Sequence, residues 1–352
     1  VLKPSEFRDL VSGRRRGFVA AFLRALLRVV EVPYTLAVRW RNRRFDRGGA
    51  EVRRVGVPVV SVGNLTLGGT GKTPMVHWVA RWFIECGVRV AVISRGYRAG
   101  DDGTNDEARE LEQRLPGVIH LENPDRVAAA RAAVEELGAR AIVLDDAFQH
   151  RRIARDLDVV LLDALEPFGF EHVFPRGTLR EPVDGLARAD VVALSRADLL
   201  TADEREAIER RVRAICPKVT WLQVTHQPRE LLAAGGATRP IDSLRGRPVA
   251  AFCGLGNPAG FRHTLETCGY RVVEFRELPD HHRYTPEDVA SLSAWAERLP
   301  VEAVVCTHKD LVKLNVERLG GWPLWALTIE MAFLNGKAEF ERHLEAIRLK
   351  IG

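Results

Sequence analysis

The chain has 352 residues, 46% of them hydrophobic and 28% charged, a composition that excludes a largely disordered or fibrous protein and exceeds one small core. Net charge is +5 and the pI about 9.1, with much of the excess in the Arg-rich N-terminus. There is no zinc-finger spacing, RNP sequence or aromatic-interleaved basic stretch, so no nucleic-acid partner is expected; a local basic patch suits an anionic membrane surface or a phosphate-bearing substrate.

Cys86, Cys216, Cys253, Cys268 and Cys306 form no CxxC pair, which argues against a disulfide framework or a zinc site and fits a reducing, cytosolic compartment. No stretch approaches the roughly 18–20 apolar residues of a membrane span, so the chain is expected to face the cytosol without crossing the bilayer.

Residues 14–30 open the pattern. Phe18, Phe22, Leu23, Leu26, Leu27 and Val30 recur at helical spacing beside Arg24 and Arg28. Such a basic amphipathic helix lies either in a membrane interface or on a domain surface with solvated arginines, because periodicity does not say what covers an apolar face. From Val57 the pattern changes to alternating strands and helices. Strands are predicted at Val57–Val62, Val88–Ser94, Ala141–Leu144, Leu157–Leu162 and Asp190–Leu194, with helices at Lys72–Glu85 and Pro124–Leu137. Gln227–Arg247, with several Pro and Gly residues, reads as a linker. Strands restart at Pro248–Cys253, Tyr270–Phe275, Val301–Thr307 and Leu324–Ile329.

With the glycine-rich run GGTGKT, Gly68–Thr73, between a predicted strand and a predicted helix, the expected fold is α/β: a P-loop NTPase-like, doubly wound, mostly parallel sheet, with a second, smaller α/β domain and an N-terminal amphipathic helix. The expected division is 1–45 for a membrane-docking region, 46–235 for the phosphate-loop domain and 236–352 for the smaller domain.

The strongest motif is GNLTLGGTGKTP, Gly63–Pro74, set between a strand and a helix as a phosphate loop requires. Thr66, Leu67, Gly68, Gly69, Thr70, Gly71, Lys72 and Thr73 are the expected nucleotide-binding run. The glycines let backbone N–H groups turn inward around phosphate oxygens, Lys72 reaches the β- and γ-phosphates, and Thr73 ligates Mg²⁺. Thr66 stands where the strict Walker A pattern has Gly. The motif specifies a nucleoside triphosphate without naming its base or the phosphate acceptor.

Asp145 and Asp146 end a hydrophobic strand in AIVLDDAFQH, the Walker B arrangement that holds Mg²⁺ directly or through water; the competing role is an acidic cap on the next helix. In AGDDGTNDE, Ala99–Glu107, Asp106 is either a base for an alcohol or part of a solvated acidic loop. FPRGTLREP, Phe174–Pro182, presents Arg176, Arg180 and Glu181 on a rigid loop suited to phosphate oxygens or to a surface ion pair. LPDHHRY, Leu278–Tyr284, groups Asp280, His281 and His282, for a metal or for a His that orients a carboxylate base. VVALSRADLL, Val191–Leu200, resembles the loop that reads guanine, with Ser195 and Arg196 in place of Asn and Lys and only Asp198 kept, so a regulatory GTPase or nucleotide-driven chaperone is the alternative.

Taken together these blocks resemble the tetraacyldisaccharide 4′-kinase family of Gram-negative bacteria. The resemblance runs from SVGNLTLGGTGKTP through Ser94–Arg98, Asn105–Glu107, Asp145–Ala164 and Gly177–Pro182 to Gly254–Pro258, Asp280–His282 and Thr307–Leu314. It implies transfer of the γ-phosphate of ATP, with Mg²⁺, to the 4′-hydroxyl of a tetraacylated glucosamine disaccharide. It also implies a peripheral enzyme docked by its N-terminal helix at the cytoplasmic face of the inner membrane. By the same resemblance Asp106 matches the family's catalytic aspartate and His281 its histidine partner. Lys72 and Thr73 would handle ATP and Mg²⁺. The chemistry of the residues assigns Asp145 and Asp146 to the metal, Glu181 to metal or water ordering and Arg180 to charge neutralisation. Ala147 and Asn105 stand where the family usually has Gly, and His308 where it often has Glu; GFEH before Val173 has the look of an insertion.

Overall fold

The structure, a computed structural model, describes residues 4–96, 111, 115, 117–255, 258–279 and 282–351. It divides into two compact units. One comprises Val1–Gly96, Val118–Thr225 and Ala332–Gly352; His226–Met331 makes up most of the other. The second unit is therefore an insertion, and the C-terminal segment, expected with the smaller domain, returns to the first.

The first unit begins with two helices, α1 (Pro4–Val11) and α2 (Phe18–Asp46). α2 is longer than the expected segment and continues through Pro33. Its sheet has the order β7 (Thr220–Leu232), β6 (Val191–Ser195), β5 (Leu157–Asp163), β1 (Val59–Asn64), β4 (Ala141–Asp145), β2 (Val90–Ser94), β3 (Ile119–Glu122), and these pairings are parallel. β1, β2 and β6 are buried along their whole length, as strands covered on both faces by helices must be. The chain leaves β1 toward β2 and β3, returns to β4, then crosses to β5 on the other side of β1. The carboxyl end of β1 is thus the switch point where ligands gather in such sheets.

The helices of this unit follow their local signals. α3 (Lys72–Glu85) accepts Pro74 because the first turn has no intrahelical N–H bond to lose, and it stops at Gly87, whose positive φ of 75° closes the last turn. α4 (Arg126–Glu135) starts at Asp125, whose carboxylate accepts from the Val127 and Ala128 N–H groups. α5 (Ala202–Ile215) starts with a reciprocal Thr201–Glu204 capping box.

The chain passes into the second unit along β7 and back along β13 (Trp322–Asn335). The expected linker is instead partly β-structure. β7 extends to Leu232 and pairs antiparallel with β8 (Thr238–Pro240), so backbone pairing claimed a segment that its Pro and Gly content suggested was irregular. β9 (Pro248–Cys253) lies between β10 (Arg271–Glu277) and β11 (Ala303–Thr307), and β11 pairs with β13, all parallel; β12 (Arg318–Leu319) folds back on β13. α6 (Pro258–Thr267), α7 (Pro286–Glu297) and α8 (His308–Leu314) connect these strands, while α9 (Lys337–Arg348) belongs to the first unit.

Within the second unit the strand ends are tied together by Asp310. This nearly inaccessible carboxylate accepts from Tyr284 Oη at 2.8 Å, Thr307 Oγ1 at 2.6 Å and the Gly254 N–H at 3.2 Å. Gly254, Tyr284 and Thr307, far apart in sequence, meet at one buried acceptor. Burial and the Asp310 charge push the Tyr284 phenol far above its usual range, so it stays a donor.

Candidate active site

The phosphate loop leaves β1 at Asn64, and the loop's shape begins with that side chain. Asn64 is fully buried; its Nδ2 donates to Thr66 O at 2.8 Å and to Thr70 Oγ1 at 3.0 Å, bracing the loop from inside. Gly63 is required by a close approach: a Cβ there would lie 2.7 Å from Phe148. Gly68 and Gly71 adopt φ values of 114° and 83°, a region open to glycine at little steric cost. Gly71 then caps α3, so Lys72 and Thr73 occupy the first helical turn.

FPRGTLREP lies directly against this loop. The Leu67 N–H donates to Thr178 O and the Arg180 N–H to Leu65 O, both at 2.7 Å, on either side of a Thr66–Leu179 bridge. Gly177 permits the turn behind it, since a Cβ would sit 2.2 Å from His172 O. Arg180 thereby reaches the end of β4, where its Nη1 donates to Asp146 Oδ1 at 2.8 Å and Oδ2 at 2.9 Å. Lys72 Nζ lies 3.6 Å from the same carboxylate. Burial by itself raises the Asp146 carboxyl, but the Lys72 and Arg180 charges outweigh it and hold the group below its ordinary value. Asp146 takes a positive φ of 52°, which turns it out of line with the strand.

Lys72, Arg180 and Asp146, three residues expected at the site, therefore meet at one point, with Asp145 adjacent in sequence. Arg126, which the sequence did not single out, donates to Asp145 O at 3.3 Å and to Asn123 O at 3.1 Å from the start of α4. The oxygen donors here suit a hard cation. Among the described residues no three His, Cys, Asp or Glu side chains converge on a metal position.

Glu181 is differently placed. It is 0% exposed and its oxygens already take four hydrogen bonds. Asn42 Nδ2 is at 2.7 Å, Gln149 Nε2 at 3.1 Å, and Arg188 Nη2 at 2.9 Å from each oxygen. Gln149 also donates to Asn64 O at 2.8 Å, so Glu181 links the phosphate loop, the Arg180 loop and α2. Tyr34 of α2 adds a 3.3 Å bond to Arg180 O. Neither Asn42 nor Arg188 carried a sequence signal.

The contacts of this loop do not favour the guanine-reading alternative. Asp198, the one residue that kept that pattern, accepts a short hydrogen bond from Thr225 Oγ1, and Arg196 is committed to Asp163 and the phosphate loop. Of the DHH block, His282 is turned to Asp288 at 3.0 Å, where it supports the Thr285 capping box of α7. Asp106 and His281 lie outside the described residues.

α2 presents Phe18, Phe22, Leu26, Val29, Leu36 and Trp40 at helical spacing, and these side chains are exposed, Phe18 by 87% and Trp40 by 65%. The opposite side of the helix holds the buried Ala20, Glu31 and Val38. Glu31 accepts from the Val173 N–H at 2.9 Å. No helix among the described residues is long and apolar enough to cross a membrane.

A glycine-rich loop at the switch point of a parallel sheet, running into a helix that starts with Lys-Thr, defines a P-loop nucleotide-binding protein. The family model for tetraacyldisaccharide-1-P 4′-kinase, LpxK, matches residues 23–348. The tetraacyldisaccharide 4′-kinase of Anaeromyxobacter sp. (strain K) is 44% identical over 320 residues, 86% of this chain and 84% of that one. The enzyme of the same name from Desulfatibacillum aliphaticivorans is 37% identical over 354 residues, 93% of each. The crystal structure of LpxK from Aquifex aeolicus in complex with ATP superposes with a TM-score of 0.74 at 28% identity, covering 92% of this chain and 99% of that one. The chain belongs to the tetraacyldisaccharide-1-P 4′-kinase family. Its activity is the family's, phosphorylation of a tetraacyldisaccharide 1-phosphate at the 4′ position.

Proposed function

We propose that the phosphate donor is ATP, held by the loop Thr66–Thr73, and that the Lys72–Asp146–Arg180 cluster is where the γ-phosphoryl group is transferred. The observation that carries this reading is the meeting of Lys72 and Arg180 on Asp146 beside the glycine-rich turn. In phosphoryl transfer the protein mainly positions groups and neutralises charge, and two cations at the mouth of the loop do both. Nucleotide phosphates would compete with Asp146 for Lys72 and Arg180, leaving its carboxylate available to Mg²⁺. Thr73, Asp145 and Asp146 would hold that ion, which supplies neutralisation of phosphate charge. Glu181, with both oxygens taken, is better read as the strut of the Arg180 loop than as the metal ligand expected from its position. Asp106 would accept the proton of the 4′-hydroxyl, with His281 as its partner.

The exposed face of α2 is best explained by an interfacial position. An apolar stripe of this length is rarely left in water, and Arg14, Arg15 and Arg16 stand exposed just before it. Docking at the cytoplasmic face of the inner membrane brings the enzyme to an acylated substrate that stays in the bilayer.

The direct test incubates purified protein with ATP, Mg²⁺ and detergent-dispersed tetraacyldisaccharide 1-phosphate and reads product mass. A gain of one phosphate that disappears in Lys72→Ala supports the reading; full turnover in Lys72→Ala overturns the role given to the loop.

A further inference from the structure

Arg196 follows β6, on the loop whose sequence resembles a guanine reader. Its backbone is left-handed, with φ of 58°, an uncommon state for a side chain of this size. Its guanidinium is gripped by Asp163 at the end of β5, with Nε 3.0 Å from Oδ1 and Nη2 in a shorter contact to Oδ2. Asp163 is itself nearly buried and also accepts from the Leu165 N–H at 3.1 Å. The same Nη2 donates to Gly69 O at 3.2 Å, in the middle of the phosphate loop.

This contact has a geometric consequence. In a trans peptide the carbonyl of one residue and the N–H of the next point to opposite sides. Holding Gly69 C=O toward Arg196 turns the Thr70 N–H away from Arg196. Thr70 Oγ1 is meanwhile held by Asn64 at 3.0 Å, so the residue is braced at its side chain and at the preceding peptide. A glycine pair such as Gly68–Gly69 has many accessible backbone states, and a phosphate loop works only when its N–H groups converge before the ligand arrives.

We propose that Arg196, clamped by Asp163, is a positioning residue that presets the Gly69–Thr70 peptide so that the Thr70 N–H faces the β- and γ-phosphates of the donor nucleotide. The proposal rests on the reading that Thr66–Thr73 holds those phosphates. It converts a position that reads a base in GTPases into one that shapes the phosphate loop. The fork geometry explains the residue type: one edge binds the carboxylate while Nη2 is shared with the carbonyl, and a Lys has one nitrogen for both tasks.

The experiment measures binding of ATP, ADP and AMP by calorimetry, and steady-state kinetics in both substrates, for Arg196→Ala, Arg196→Lys and Asp163→Asn. Arg196→Ala is expected to weaken ATP and ADP by roughly ten- to hundredfold, the range for a hydrogen bond to a charged group. AMP affinity and KM for the lipid should stay unchanged. Asp163→Asn should reproduce much of that loss, the double variant should add little to it, and Arg196→Lys should recover part of it. Thermal melts separate folding from positioning: a role confined to stability lowers the melting temperature but leaves the ATP-to-AMP affinity ratio at its wild-type value, and that result overturns the proposal. If Arg196→Ala does not fold, the same ratio in Arg196→Lys decides. Lys72→Ala is the control for the underlying reading. If it binds ATP like the wild type, the phosphate-loop assignment fails; if it weakens ATP while the Arg196 and Asp163 variants do not, only the present proposal fails.

Discussion

Glu181→Ala separates a structural strut from a metal ligand. The carboxylate is fully buried and meets Arg188 Nη2 at 2.9 Å, Asn42 Nδ2 at 2.7 Å and Gln149 Nε2 at 3.1 Å. Truncation takes the acceptor from a largely buried guanidinium and from the Asn42 amide, while Gln149 keeps Asn64 O at 2.8 Å. Removing one partner of a buried ion pair costs about 3–5 kcal/mol. The Arg188 side chain keeps 21% of its exposure and stacks 4.5 Å from the Phe148 ring, so some water and the cation–π contact remain, and the lower end, about 3 kcal/mol, applies. In a unit of roughly 150–250 residues each kcal/mol lowers Tm by about 2–4 °C, which predicts a drop of about 6–12 °C. Glu181→Gln keeps one acceptor oxygen and should lose roughly half as much. The assay is a circular-dichroism melt of both variants without Mg²⁺, paired with turnover against Mg²⁺ concentration. The strut reasoning is refuted if Glu181→Ala melts like the wild type yet needs far more Mg²⁺ for turnover.

Three further outcomes follow from particular contacts. Replacing Phe18, Phe22 and Leu26 with Gln should release the protein from anionic liposomes while the melt stays the same, because these side chains are exposed; unchanged sedimentation with vesicles would remove the docking role. His150 is held at about 4, by burial first and then by Arg126, Arg155 and Arg152, whereas an unfolded His titrates near 6.5. Between those values the unfolded chain binds the extra proton, so stability should fall as pH drops from about 6.5 toward 4. Glu181 and the other carboxylates being kept, His150→Gln should flatten that part of a Tm-against-pH curve; an identical slope would refute the assignment. Asp106→Asn should cut kcat far more than it changes ATP affinity, and equal losses in both would argue against a base.

Much of the first unit was legible because its signals are local. A continuous apolar run bounded by Gly-rich sequence is enough to predict β1, and GGTGKT followed by an amphipathic stretch predicts the turn into α3; the helix lies where the spacing put it. β9 was bounded correctly for the same reason. The region 227–247 misled because Pro and Gly weaken strand propensity without forbidding pairing, and β7 found its partner in β8.

What the sequence alone determined is the presence of the phosphate loop, the alternation that builds its sheet, and the family to which those blocks point. Each depends on residues within a few positions of one another, where backbone sterics, glycine freedom and side-chain period act directly. The tertiary structure decided which charged side chains pair. Glu181 meets Asn42 across 139 positions of chain, and Arg196 meets Gly69 across 127. A carboxylate or guanidinium looks the same in sequence whether it holds a metal, a phosphate loop or another side chain, because its role is set by the donors and acceptors that folding brings within about 3 Å. The apolar face of α2 obeys the same limit: its period was visible from the start, but only the folded chain shows that face left uncovered.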